Sequence, residues 1–145
     1  MKWVTRSHVH VDRVACPWLI KRFVDNEAEF LFVPASQVMA VTKQTGAISY
    51  DCMGKAELDH HNGQCSFESI IFKYELKDPA LLRMAKIIHS ADVAPDIDKE
   101  PLARGLEAIA VGYSLRYPDD EKNLANQFEV YDSLYAWCRL QEAKS

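Results

Sequence analysis

The sequence predicts an α+β fold: a mostly helical single domain with a few short strands from its N-terminal part. Two observations carry this prediction. Short runs of β-branched and aromatic residues are confined to the first third of the chain. From residue 66 onward, apolar residues recur at helical spacing behind recognisable helix starts. A third observation sets the scale: 145 residues without internal repeat, low-complexity tract or long linker read as one domain over 1–145.

Each element follows from its own residues. Residues 2–5 and the run Glu29-Phe30-Leu31-Phe32-Val33 have strand composition. Between them, Pro17 to Val24 reads as a helix, because proline suits a first turn and Leu19, Ile20 and Phe23 repeat at helical spacing. Asp12 is placed to cap an earlier turn. Residues 36–44 suit a short helix closed by Gly46, and Ala47 to Asp51 a third strand. Ser66 is the expected N-cap of a helix over 67–75, with Phe67, Ile70, Ile71 and Tyr74 on one side. Asp78-Pro79 opens a helix reaching about Ala91. Its wet face is expected to hold Arg83, Lys86 and Ser90, and its apolar face Leu81, Leu82, Ala85 and Ile88. Pro101 opens the next, which stops before Tyr117-Pro118. Asp119-Asp120 starts the last, where Leu124, Phe128, Tyr131, Tyr135 and Cys138 keep the rhythm of a buried seam.

Composition excludes several classes. Hydrophobic residues are 48% and charged residues 26%, the balance of a folded soluble protein rather than a disordered one. No window approaches the ~18 uninterrupted apolar residues of a membrane span. A net charge of −4 argues against direct nucleic-acid binding, which needs a basic face. The opening Met1 to His8 has no apolar signal core, so a cytoplasmic location is expected. Cys16, Cys52, Cys65 and Cys138 form no C-x-x-C pair and read as free thiols. With only 5 glycines and no P-loop, G-x-G-x-x-G or G-x-S-x-G motif, phosphate-cradling and nucleophile-elbow chemistries are absent.

Polar chemistry concentrates in three places. Asp59 to Glu68 packs His60, His61, Cys65 and two carboxylates into ten residues, with Gly63 to turn the backbone. Imidazole, thiolate and carboxylate are the ligands of zinc, iron and similar ions, although no zinc-finger or H-E-x-x-H spacing is present. Glu68 alone also suits a helix first turn, and Cys65 a small buried position. In the helix over 79–91, His89 and Asp92 are three apart and therefore neighbours. Either Asp92 holds the His89 ring as a structural pair, or both ligate a cation. The third place is Arg6, His8, His10, Asp12 and Arg13. In an extended segment His8, His10 and Asp12 would share one face, and the arginines would either pair with carboxylates or clamp an oxyanion.

The string Asp12-Arg13-Val14-Ala15-Cys16-Pro17-Trp18-Leu19-Ile20-Lys21-Arg22-Phe23-Val24-Asp25, followed by Ala28 to Pro34, resembles the chromate-resistance protein family, the domain at the C-terminus of the chromate-responsive regulator ChrB. The resemblance continues through Tyr50-Asp51, His60, Cys65 to Glu68, Asp78 to Leu81, His89 to Asp92 and Gly105-Leu106. His60, Cys65, Glu68, His89 and Asp92 match the family's polar positions, whereas His8, His10 and His61 fall in none of these motifs.

The resemblance implies a role in chromate resistance, by sensing or by handling the ion. The expectation is a metal- and/or oxyanion-binding stress-response domain. Its metal ligands would come from His60, Cys65, Glu68, His89 and Asp92, with Arg13 and Arg22 favouring an anion and Asp12 and Asp51 as further carboxylates. The ion is divalent zinc, iron or manganese, and chromate or another oxyanion is the expected partner. A homodimer is compatible with exposed tryptophan among Trp3, Trp18 and Trp137. The alternatives are a metal-dependent hydrolase using the same His/Glu/Asp set, and an interaction module in which these pairs are purely structural.

Overall fold

The computed structural model describes residues 1–52, 58–59 and 63–145. Three strands form a parallel sheet in the order β2-β1-β3, with β1 Lys2–Arg6 between β2 Glu29–Val33 and β3 Ile48–Ser49. Trp3 lies opposite Phe30 on one side and Ile48 on the other, and Val4 opposite Leu31 and Ser49. A central strand in a parallel sheet is covered on both faces, and Trp3, Val4 and Thr5 are accordingly buried. Trp3 joins the main core, whereas Val4 packs with Val38, Ala47 and Cys52 on the opposite face.

Six α-helices among the described residues complete the mostly helical α+β fold: α1 Val11–Leu19, α2 Val38–Thr45, α3 Ser66–Lys73, α4 Pro79–Asp92, α5 Ala103–Arg116 and α6 Asp120–Ala143. The second half follows its sequence pattern to within two residues at most boundaries. Asp78 caps α4 by accepting from Ala80 N–H, and Asp119 caps α6 by accepting from Glu121 and Lys122 N–H. The α6 seam is seated as expected, with Tyr131 and Cys138 fully buried. No helix of the described residues is long and apolar enough to cross a membrane.

Four local expectations are corrected. Pro17 does not open its helix. α1 begins six residues earlier, at Val11, and Pro17 lies inside it. Proline supplies no N–H to the carbonyl four residues back; beyond it the helix widens over Ile20–Val24, where Asp25 N–H reaches the Ile20 carbonyl. Residues 8–12 are consequently not one extended face, and His8 adopts a left-handed φ of 66°. Ser66 is the first residue of α3 and Cys65 its N-cap. Finally, Ser90 of α4 is buried while Leu82 is 46% exposed, so its apolar stripe is rotated from the expected one.

α1 is the hub of the core. Trp18, Phe23 and Tyr135 form a ring triangle with centroids 5.5–5.7 Å apart, each contact contributing about 0.5–1.5 kcal/mol beyond its buried area. Trp18 donates its indole N–H to Asp132 of α6 at 2.7 Å. α3 lays Phe67, Ile70 and Ile71 onto this core. That packing brings the N-terminus of α3 alongside the C-terminal half of α4.

Candidate metal centre

α3 and α4 meet where the sequence places its densest polar chemistry. Cys65, Glu68 and His89 each present a ligand-type atom, and those atoms lie within 4.8 Å of one another. Helix-start chemistry positions the first two. Glu68 is the third residue of α3, and its Oε1 accepts the N–H of Cys65 at 3.0 Å, as the acid of a capping box does. Cys65 is buried completely, and burial pushes its thiol far above the ordinary range. Such a thiol stays protonated unless a cation draws the proton off.

His89 reaches the cluster from the last turn of α4. Its Nδ1 lies 2.6 Å from Glu68 Oε1, and its Nε2 lies 2.7 Å from Asp96 Oδ2. A carboxylate on each nitrogen favours the ring form with two N–H donors, the imidazolium. Burial works against that charge, but the hydrogen bonds the ring donates to Asp96 and Glu68 outweigh it and raise the ring's pKa above its ordinary 6.5. Asp96 in turn is held below the usual carboxylate range by His89 and then by Lys99, whose Nζ is 3.0 Å from its other oxygen.

The donor set fits a borderline cation: one thiol, one carboxylate and one imidazole suit zinc or iron, and leave a fourth position open. Two ligands held at tetrahedral angles by zinc bonds of ~2.0–2.1 Å stand about 3.3 Å apart. The 2.6 Å between Nδ1 and Oε1 is therefore hydrogen-bond spacing, and the two groups would have to part slightly to hold a metal in place of the proton. Beside them, a cavity of about 270 Å³ is lined by Glu68, Lys86, His89, Ser90, Lys99 and Glu100.

Three of the five expected ligands thus converge: Cys65, Glu68 and His89. Asp92 is not in this grouping; its charge is felt by Arg13 and by Tyr131, on the α1 and α6 side of α4. His60 lies outside the described residues, as does His61. Sequence reasoning missed Asp96. It is seven residues from His89, beyond helical neighbourhood, and comes back to the ring only because the turn Ala94–Asp96 folds over the end of α4. The Ala94-Pro95-Asp96 string, a fixed turn ending in a carboxylate, was the available signal.

The arginines sit elsewhere. Arg13 donates to the Ser7 carbonyl at 3.0 Å and faces Asp51 at 3.3 Å. Burial and the neighbouring Arg6 lower its pKa, against the pull of Asp51. Arg22 forms a two-pronged pair with Asp132, 3.0 Å on each oxygen. Asp12 accepts the N–H groups of Ser66 and Phe67 at 2.8 and 3.2 Å, capping α3 from another helix, and Asp51 accepts from the Ser66 hydroxyl at 3.0 Å. His8 and His10 line a separate hollow with Asp120 and Asn123.

Comparison with known proteins bears on the family of the chain. The family described as ChrB, C-terminal domain, matches residues 3–138. Protein ChrB of Cupriavidus metallidurans is 37% identical over 135 residues, which is 92% of this chain. The match takes in 40% of that relative's length. No solved structure matches significantly.

Proposed function

The chain belongs to the ChrB C-terminal-domain family, and on that premise we propose that it serves chromate resistance or its regulation as a metal-responsive sensor domain. The observation that carries this reading is the convergence of Cys65, Glu68 and His89 from two helices onto one point. Imidazole and carboxylate beside a thiol favour zinc or iron over harder cations. When bound, the ion would supply a fixed positive charge able to attract a tetrahedral dianion such as chromate.

The protein's own groups do the rest. The α3 first turn aims Glu68, burial keeps the Cys65 thiol protonated, and α4 sets the His89 ring against Glu68. Cys65, Glu68 and His89 would hold the ion, the Nδ1 proton and the Cys65 proton would leave as it bound, and occupancy would exchange protons for one ion at the joint of α3 and α4. Such an exchange at a helix joint is the kind of event a sensor transmits. A direct oxyanion clamp by Arg13 and Arg22 draws less support, since each guanidinium already faces a carboxylate.

Elemental mass spectrometry on untagged protein tests the reading, beside a Glu68→Ala/His89→Ala double variant. About one equivalent of zinc or iron, lost in a folded double variant, is expected. No metal in either protein, after incubation with both ions, overturns it.

A further inference from the structure

Asp96 is the residue whose contact with the cluster has no counterpart among the expected ligands. Its Oδ2 lies 2.7 Å from His89 Nε2, the nitrogen facing away from Glu68. Its placement is built into the chain. α4 ends at Asp92, and the turn over Ala94–Asp96 contains Pro95, whose fixed φ limits the ways the turn can open. Asp96 N–H closes on the Val93 carbonyl at 2.8 Å, and Lys99 N–H on the Asp96 carbonyl at 2.9 Å. Lys99 Nζ holds Asp96 Oδ1, leaving Oδ2 for the ring. The side chain is thus restrained from both sides.

The two ring nitrogens therefore have different duties. Nδ1 points at Glu68, in the cluster with Cys65, and Nε2 points at a carboxylate outside that cluster. We propose that Asp96 is the positioning residue of the metal centre: by accepting from Nε2–H it fixes the His89 ring and its tautomer, so that Nδ1 is the atom given to a divalent cation. This rests on the reading of Cys65, Glu68 and His89 as metal ligands. A carboxylate behind a ligating imidazole orients it and raises its basicity, and losing that partner costs about 10–100-fold in metal affinity. Asp96 is outside the grouping of Cys65, Glu68 and His89 and reaches it through the His89 Nε2.

The test compares wild type, Asp96→Asn and Asp96→Ala, each verified as folded by circular dichroism. Zinc affinity is measured by competition with a chelator, and the His89 ring protons are followed by nitrogen–proton correlation spectra. Asp96→Ala is expected to lose 10–100-fold in zinc affinity, with Asp96→Asn, which keeps an acceptor but not the charge, falling between. In zinc-bound wild type the His89 proton is expected on Nε2, and in Asp96→Ala that slowly exchanging signal is lost. A purely structural contact would lower stability without moving either readout. Wild type that binds zinc while Asp96→Ala stays within twofold, with the Nε2 proton retained, overturns the positioning role alone. Wild type that binds no zinc overturns both this role and the metal centre beneath it.

Discussion

At the residue scale, Asp12 does for α3 what Ser66 was expected to do. Its carboxylate takes two of the orphan N–H groups at that helix start while 1% exposed. Truncating it strands two buried donors, so Asp12→Ala is expected to lower the unfolding free energy by about 2–4 kcal/mol, measured in urea. His89 makes a pH prediction. Its folded pKa is raised above an unfolded value near 6.5. Its contribution is therefore complete below pH 6.5 and is lost as pH climbs through the raised value. Metal-free wild type should lose melting temperature above pH 6.5 relative to a His89→Gln variant. A parallel pair of profiles would contradict the imidazolium bridge. Residues such as Glu68 and His89 were legible because each obeys a local rule, first-turn acid and helical neighbour. Asp92 is readable beside His89 by the same logic, because a three-residue step along a helix is visible in the sequence and a seven-residue return through a turn to Asp96 is not.

At the element scale, helix existence followed from periodicity, whereas faces and starts depended on tertiary partners. The second half was legible because Asp-Pro and Asp-Asp starts and long apolar stripes agree with one another. α1 was mistaken in extent because a proline that usually opens a helix here interrupts one, with the cost taken up by the wide turn at Ile20–Val24. Likewise Asn123 and Gln127 of α6 are buried although they sit between the apolar residues that define its seam. α3 shows how a face is decided by packing. Phe67 is fully buried, while Phe72 is 78% exposed. Phe67→Ala should cost about 3–5 kcal/mol, and Phe72→Ser should stay within about 0.5 kcal/mol. Denaturant midpoints at unchanged slope distinguish the two.

At the scale of the whole molecule, the candidate centre joins the start of one helix to the end of the next. Cys65 and Glu68 stand at the start of α3, His89 at the end of α4, and Asp96 on the turn beyond. A cation bound there would tie α3 to α4 and stabilise the folded state by mass action. At zinc one hundredfold above its dissociation constant the gain is about 2.7 kcal/mol, seen as a rise in melting temperature that the Glu68→Ala/His89→Ala variant lacks. The sequence could not announce this joint, because its ligand spacing matches no standard motif and only the fold closes the distance. It could supply the ligand types, and these set the most direct test. Cobalt(II) is an optical stand-in for zinc, and a thiolate ligand gives it a charge-transfer band that oxygen and nitrogen ligands do not. The account predicts that band on titrating cobalt into wild type, saturating at one equivalent, and its loss in a folded Cys65→Ser variant. A spectrum without thiolate character, or one unchanged by Cys65→Ser, would contradict it.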